Sequence, residues 1–217
     1  MHVQRHRRRL IIALCAGAGI LALLITVGVY GMLRGPANDR ALPASTVGTT
    51  AADPSSPIAH PRTLTAVKNP ELFAEITASA LFGWDTRGTA GPSDWSQVLI
   101  DVGDPEEAAG LAADVRGYLP TIEQWEQLKA YGTRQWLTIE SIRVPDAWAT
   151  ALAQAAPDQL PPGAIAYTVS GIRHRGGTWN DEHAVTASKV AFTLFIACPS
   201  GGDCRLLRLS GVNEPLE

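Results

Sequence analysis

Apolar residues run without a single charge from Leu10 to Leu33, and four arginines stand before them: Arg5, Arg7, Arg8 and Arg9. A hydrocarbon core about 30 Å thick is crossed by about 20 helical residues. The run therefore predicts a transmembrane helix over 10–33. A signal peptide has a shorter apolar region, about 7–15 residues, followed by a small-x-small cleavage site. Leu33-Arg34-Gly35-Pro36 is no such site, and Leu14 before Cys15 does not fit a lipoprotein site. The expectation is a retained anchor. Basic residues beside a membrane segment stay in the cytoplasm. Arg5, Arg7, Arg8 and Arg9 are thus the topology signal, with the 1–9 tail inside and the chain after the helix outside.

Residues 34–68 are rich in Pro, Ala, Ser and Thr and carry no apolar period. Such composition cannot bury a core and reads as a linker. From Asn69 the pattern changes. In "NPELFAEITASALF" Asn69 is a helix cap, Pro70 the first helical position and Glu71 a first-turn acid. Leu72, Ile76 and Ala80, joined by Phe73, form its expected inner face. A second helix is expected from "GDPEEAAGLAADVRGYLP", with Asp104 as cap, Pro105 first, and Ala108, Leu111 and Val115 inward. Thr121 and Gln124 predict a capping box for "TIEQWEQLKAYG", whose inner face is Ile122, Trp125 and Leu128.

After Gly132 the period drops to two. "TRQWLTIESIRV", "GAIAYTVSGIRHR", "AVTASKVAFTLFIAC" and "CRLLRLSGV" predict four strands. Val190, Phe192, Leu194 and Ile196 alternate along the third. "PDAWATALAQAAPDQLPP" predicts a short helix and a Pro-rich loop between the first two, and "RGGTWNDE" a long turn between the second and third. Helices followed by strands indicate an α+β domain over 69–217, helices packed on an antiparallel four-stranded sheet. About 145 residues suffice for one core.

Charge narrows the partners. Beyond the apolar run, 14 Lys and Arg face 21 Asp and Glu, a net charge of −7. An acidic surface repels phosphate backbones, so direct nucleic-acid binding is not expected. Cys198 and Cys204 flank "PSGGD" at the tip of the last hairpin. Neighbouring strands bring such positions to disulfide distance, and a bond there fits an oxidising compartment. Zinc is the competing reading, but two cysteines without a second pair supply too few ligands.

Chemistry is sparse. "GIRHRGGTWNDEH" supplies His174, Asp181, Glu182 and His183, and strand pairing across the turn would bring the two histidines together as a metal or acid–base site. Turns also attract Asn, Asp and Gly for backbone reasons alone, which explains the same residues as a solvated tip. Asp101, Asp104, Glu106 and Glu107 form an acidic cluster, two of which suit a helix start. No phosphate loop, nucleophile elbow or HExxH pair occurs. The reading is a chain without catalytic residues, cofactor or metal. Trp84 and Trp179, in polar glycine-rich surroundings, are the candidate interface anchors; Trp84 and Trp95 flank the expected loop "GWDTRGTAGPSDW".

The whole plan resembles the VirB-type bitopic inner-membrane subunits of type IV secretion and conjugation machines. "LFGWDTRG", "YLPTIEQWEQL", "TRQWLTIESI" and "AFTLFIACPSGGDCRLLRLS" look similar to actinobacterial membrane proteins linked to conjugative elements. The resemblance implies an extracytoplasmic domain of the nuclear transport factor 2-like fold, a curved antiparallel sheet wrapped on helices. It further implies a scaffold subunit in the cell membrane that contacts channel proteins and itself, and lipid through the N-terminal helix. The very short tail and the hairpin cysteines depart from the common pattern. Two alternatives share the architecture: membrane proteins that assist a lipid importer, and ligand-binding or enzymatic domains of the same fold.

Overall fold

Capping chemistry sets the first helix of the folded part. α1, Pro70–Phe82, begins at Asn69, whose Oδ1 accepts the Leu72 N–H at 2.8 Å. This satisfies one of the donors that a helix start leaves without a partner. The computed structural model describes residues 57–157 and 159–217. The basic tail, the apolar run and most of the 34–68 segment lie outside the described residues. Among the described residues no helix is long and apolar enough to cross a membrane.

The inner face of α1 differs from expectation. Phe73, Ala74, Thr77, Ala78, Leu81 and Phe82 are buried, whereas Leu72 is exposed. A helix lying close on a sheet is met best by small side chains, so Ala74 and Ala78 take the contact line and Leu72 turns outward. Residues 83–95, expected as a loop, hold β1, Trp84–Asp85, and the start of α2, Pro92–Ile100. The Gly91 N–H donates to Asp94 Oδ2 at 2.7 Å, and Pro92 supplies the first helical position.

α3, Ala108–Arg116, starts later than its expected cap. Asp104 instead closes a turn, its Oδ1 accepting the Glu106 N–H at 2.9 Å. Both halves of the predicted capping box on α4, Ile122–Lys129, are present: Gln124 N–H to Thr121 Oγ1 at 3.2 Å and Thr121 N–H to Gln124 Oε1 at 3.0 Å. Trp125 is buried as expected, but Ile122 is exposed. α5, Ala147–Gln154, completes the helices of the described residues.

The sheet has five antiparallel strands in sequence order, not four. β2 spans Arg134–Arg143, β3 Ala164–Trp179, β4 Glu182–Ala197 and β5 Arg205–Leu209. The extra strand, β1, is two residues long and too short to show an alternating pattern. Register shifts mark bulges at Glu140 in β2 and Leu207 in β5, and bulges bend a strand and increase its twist. Gly171 lies opposite the first; a Cβ there would collide with the Thr138 carbonyl oxygen. The result is a curled half-barrel.

The turn between β3 and β4 is also tighter than expected. Asn180 and Asp181 alone form it, with φ of 48° and 65°, and Trp179 already pairs with Glu182. Two left-handed residues are what a type I′ hairpin requires, and its twist matches the strands.

Val190, Phe192, Leu194 and Ile196 are buried, as their alternation predicts, and join Tyr167, Val169 and the inner residues of α1 in the main core. A smaller core holds Trp84, Ala90, Trp95 and Trp125. On the opposite sheet face Trp148 of α5 meets Phe195 at 6.1 Å. There the Thr193 hydroxyl accepts the Leu216 N–H at 2.8 Å, and the Thr168 hydroxyl donates to the Leu216 carbonyl at 3.0 Å. Cys198 and Cys204 form the predicted disulfide, with a Cα–Cα distance of 4.1 Å, across the β4–β5 connection.

Candidate functional site

Two features rise above scaffold. The first is a cleft of about 500 Å³ between β3 and α4, bounded by Phe82, Tyr118, Gln124, Leu128, Arg173 and Arg175 among others. Strand alternation places Arg173 and Arg175 on the same face of β3 as Val169, the face that carries the core. Arg175 Nε donates to Gln135 Oε1 at 2.8 Å, and Gln135 Nε2 donates to the Phe82 carbonyl at 3.2 Å. The Arg175 guanidinium also lies 5.4 Å from the Trp84 ring centroid. Arg173 Nε donates to Ser188 Oγ at 3.2 Å. Burial, and then the neighbouring Arg173 charge, holds the Arg175 pKa below the usual guanidinium value. At the cleft wall the Tyr118 hydroxyl donates to the Ser210 carbonyl at 2.7 Å, and burial raises its pKa.

The second feature is the far end of the β3–β4 hairpin. Residues 182–189 are exposed throughout. Trp179, 58% exposed, packs against Tyr131 with centroids 5.0 Å apart and the rings tilted by 31°. Beside them an open apolar hollow of about 400 Å³ is lined by Leu128, Gly176, Gly177 and Ala184. Thr178 N–H donates to the Tyr131 carbonyl at 2.8 Å, and a Cβ at Gly177 would sit 3.0 Å from that same oxygen. Glycine there lets the 130–133 loop seat against the strand.

Next to Trp84 of the smaller core stands a buried carboxylate. Asp85 has no side-chain exposure and pairs with Arg87 at 2.7 Å. Its oxygens also accept the Arg87 N–H at 2.9 Å and the Ile58 N–H at 3.1 Å. Burial alone would raise its pKa; the Arg87 side chain and the two backbone donors outweigh that and lower it.

The candidate residues from sequence are distributed differently from expectation. Trp84 is 1% exposed, so it is no surface anchor; the polar residues around it in sequence surround a buried ring, packed against Trp125 at 5.4 Å. Trp179 does lie on the surface. His174 and His183 do not face each other, because His174 pairs with Ala187 and His183 with Thr178. His174 instead stacks on Trp136 at 5.1 Å and shares a hydrogen bond with the Thr138 hydroxyl at 3.1 Å. Asp181 and His183 line an open hollow with Arg87 and Arg134. Among the described residues no three His, Cys, Asp or Glu side chains group as metal ligands. The acidic cluster is spread over separate contacts: Asp101 accepts from Gln97 at 2.7 Å, and Glu107 lies 3.9 Å from Arg208 of β5.

Arg173 and Arg175 escaped the sequence reading. Their signal was the inward register of β3 itself, where Val169, Gly171, Arg173 and Arg175 follow one another at period two. No protein-family model matches the chain, and no curated protein matches it.

Proposed function

We propose that the chain is a membrane-anchored assembly subunit whose folded part works outside the cytoplasm and contacts neighbouring proteins of a conjugative transfer or type IV secretion channel. The observation that carries this reading is the exposed hairpin end, where Trp179, Tyr131 and Val185 present apolar surface. Aromatic side chains of this kind dominate binding hot spots. The disulfide supports an oxidising compartment, and the uncharged run 10–33 behind Arg5, Arg7, Arg8 and Arg9 supports a retained anchor. A curled antiparallel sheet with α1 packed across β2, β3 and β4 supports the nuclear transport factor 2-like likeness.

The test is deletion in the host, with DNA transfer and lipid uptake measured side by side, followed by complementation with Trp179→Ala. Transfer should fall on deletion and stay low with Trp179→Ala, while that variant keeps a wild-type unfolding midpoint. Unchanged transfer with impaired lipid uptake would overturn the reading in favour of an importer accessory.

A further inference from the structure

We propose that the cleft between β3 and α4 binds a small ligand through an oxyanion head, phosphate or carboxylate, gripped by Arg173 and Arg175. This goes beyond the assembly role, which rests on the hairpin end.

The first argument is charge placement. The chain beyond the apolar run carries a net charge of −7, yet two arginines stand two positions apart on the inward face of one strand. Among the described residues no carboxylate lies within ion-pair distance of either, whereas Arg87 has one and Arg208 has two. No Asp or Glu lines the cleft. Two like charges set side by side without an acid are electrostatically unfavourable, and an anion between them reverses the sign of that interaction.

The second argument is preorganisation. Each guanidinium is held through Nε by a neutral acceptor, Gln135 for Arg175 and Ser188 for Arg173. Gln135 is itself oriented by the Phe82 carbonyl, and the Trp84 ring backs Arg175. The terminal nitrogens of both forks have no acceptor among the described residues, and both residues line the cleft. Residues two apart on one face of a strand have Cα atoms about 6.6 Å apart, and both side chains border the same cleft. Arginine forks match phosphate and carboxylate geometry, and a fork already fixed loses little entropy on binding.

The third argument is the remainder of the wall. Gln124 and Gln127 supply further amide donors, and Leu119, Leu128 and Val212 supply apolar surface. A cleft of about 500 Å³ falls within the usual range for small-ligand sites. The ligand is thus an anion with a modest apolar part.

Isothermal titration of the full chain in neutral detergent, at constant ionic strength, tests the site. The probes are inorganic phosphate, hexanoate and dihexanoyl phosphatidate. Saturable binding of phosphate or hexanoate at one site per chain is expected. Arg173→Gln and Arg175→Gln should each weaken it by about tenfold or more. Lys189→Gln removes the same charge from an exposed position on the opposite sheet face, and should leave affinity within about twofold. If Arg175→Gln unfolds, Arg173→Gln alone decides, since Arg173 does not touch Trp84. Phosphatidate binding about tenfold tighter than phosphate identifies a lipid headgroup as the source; equal affinities identify a free anion. No saturable binding of any probe, or the same loss in Lys189→Gln as in Arg173→Gln, overturns the proposal.

Discussion

Asp85→Asn removes a charge from a carboxylate with no solvent exposure while keeping its shape. The carboxylate accepts Arg87 Nε at 2.9 Å, Arg87 Nη2 at 2.7 Å, the Arg87 N–H at 2.9 Å and the Ile58 N–H at 3.1 Å. An amide nitrogen in place of either oxygen faces a donor. Breaking a buried pair by removing one partner destabilises by about 3–5 kcal/mol, largely because a charge is stranded. The Arg87 side chain is 26% exposed, so water reaches it, and the loss falls near the lower end, about 3 kcal/mol. With a urea slope of about 2 kcal/mol/M, the midpoint drops by about 1.5 M. Urea titration followed by tryptophan fluorescence measures this directly, because Trp84 is the neighbouring residue. The folded-state pKa of Asp85 is lowered, so its contribution is complete above the unfolded value near 3.9 and is lost as pH falls through the folded value. The gap between wild type and variant should therefore be constant from neutral pH down to about 5 and narrow below about 4. A gap under about 0.5 kcal/mol at pH 7, or one that widens on acidification, would refute the reasoning.

Replacing Cys198 and Cys204 together by Ser should lower stability by about 2 kcal/mol, given the short loop they close. Peptide mapping of unreduced protein from its native envelope should find them linked, and two freely alkylated thiols would contradict the pairing. Trp84→Ala removes a ring that is 1% exposed and packed on Trp125, and should cost about 3–5 kcal/mol. The same urea titration reads it, and a variant as stable as wild type would show that the smaller core does not depend on this ring.

Sequence patterns located elements better where side chains cap or alternate than where packing chooses the face. The Asn69 cap, the Thr121–Gln124 box and the β4 alternation are local chemistry, and each is present. The inner face of α1 is not local. Ala74 and Ala78 are inside because the sheet lies close, and no propensity distinguishes them from Leu72 without that sheet. α2 had its signals in Gly91, Pro92 and Asp94, but only Trp95 and Leu99 of its nine residues are buried, too few for a visible period. The candidate cleft was least legible. Arg173 and Arg175 close the predicted strand "GAIAYTVSGIRHR" and run into a polar stretch that reads as a long solvated turn; the two-residue Asn180–Asp181 corner carries β3 past them.

The lead-in to the folded part has a mechanical consequence. The Ile58 N–H is held by Asp85 in β1, and the Val67 carbonyl accepts the Cys204 N–H at 2.7 Å just ahead of β5. β1 and β5 are the two rims of the sheet, so one short strap is fastened at both. Tension applied ahead of residue 57 reaches the Asp85 fastening first, before the rim at Cys204 or the start of α1. That fastening is ionic on the Asp85 side, while the second is a backbone bond beside a covalent cross-link. The strap should therefore yield stepwise, and acid should weaken its first grip without loosening the second.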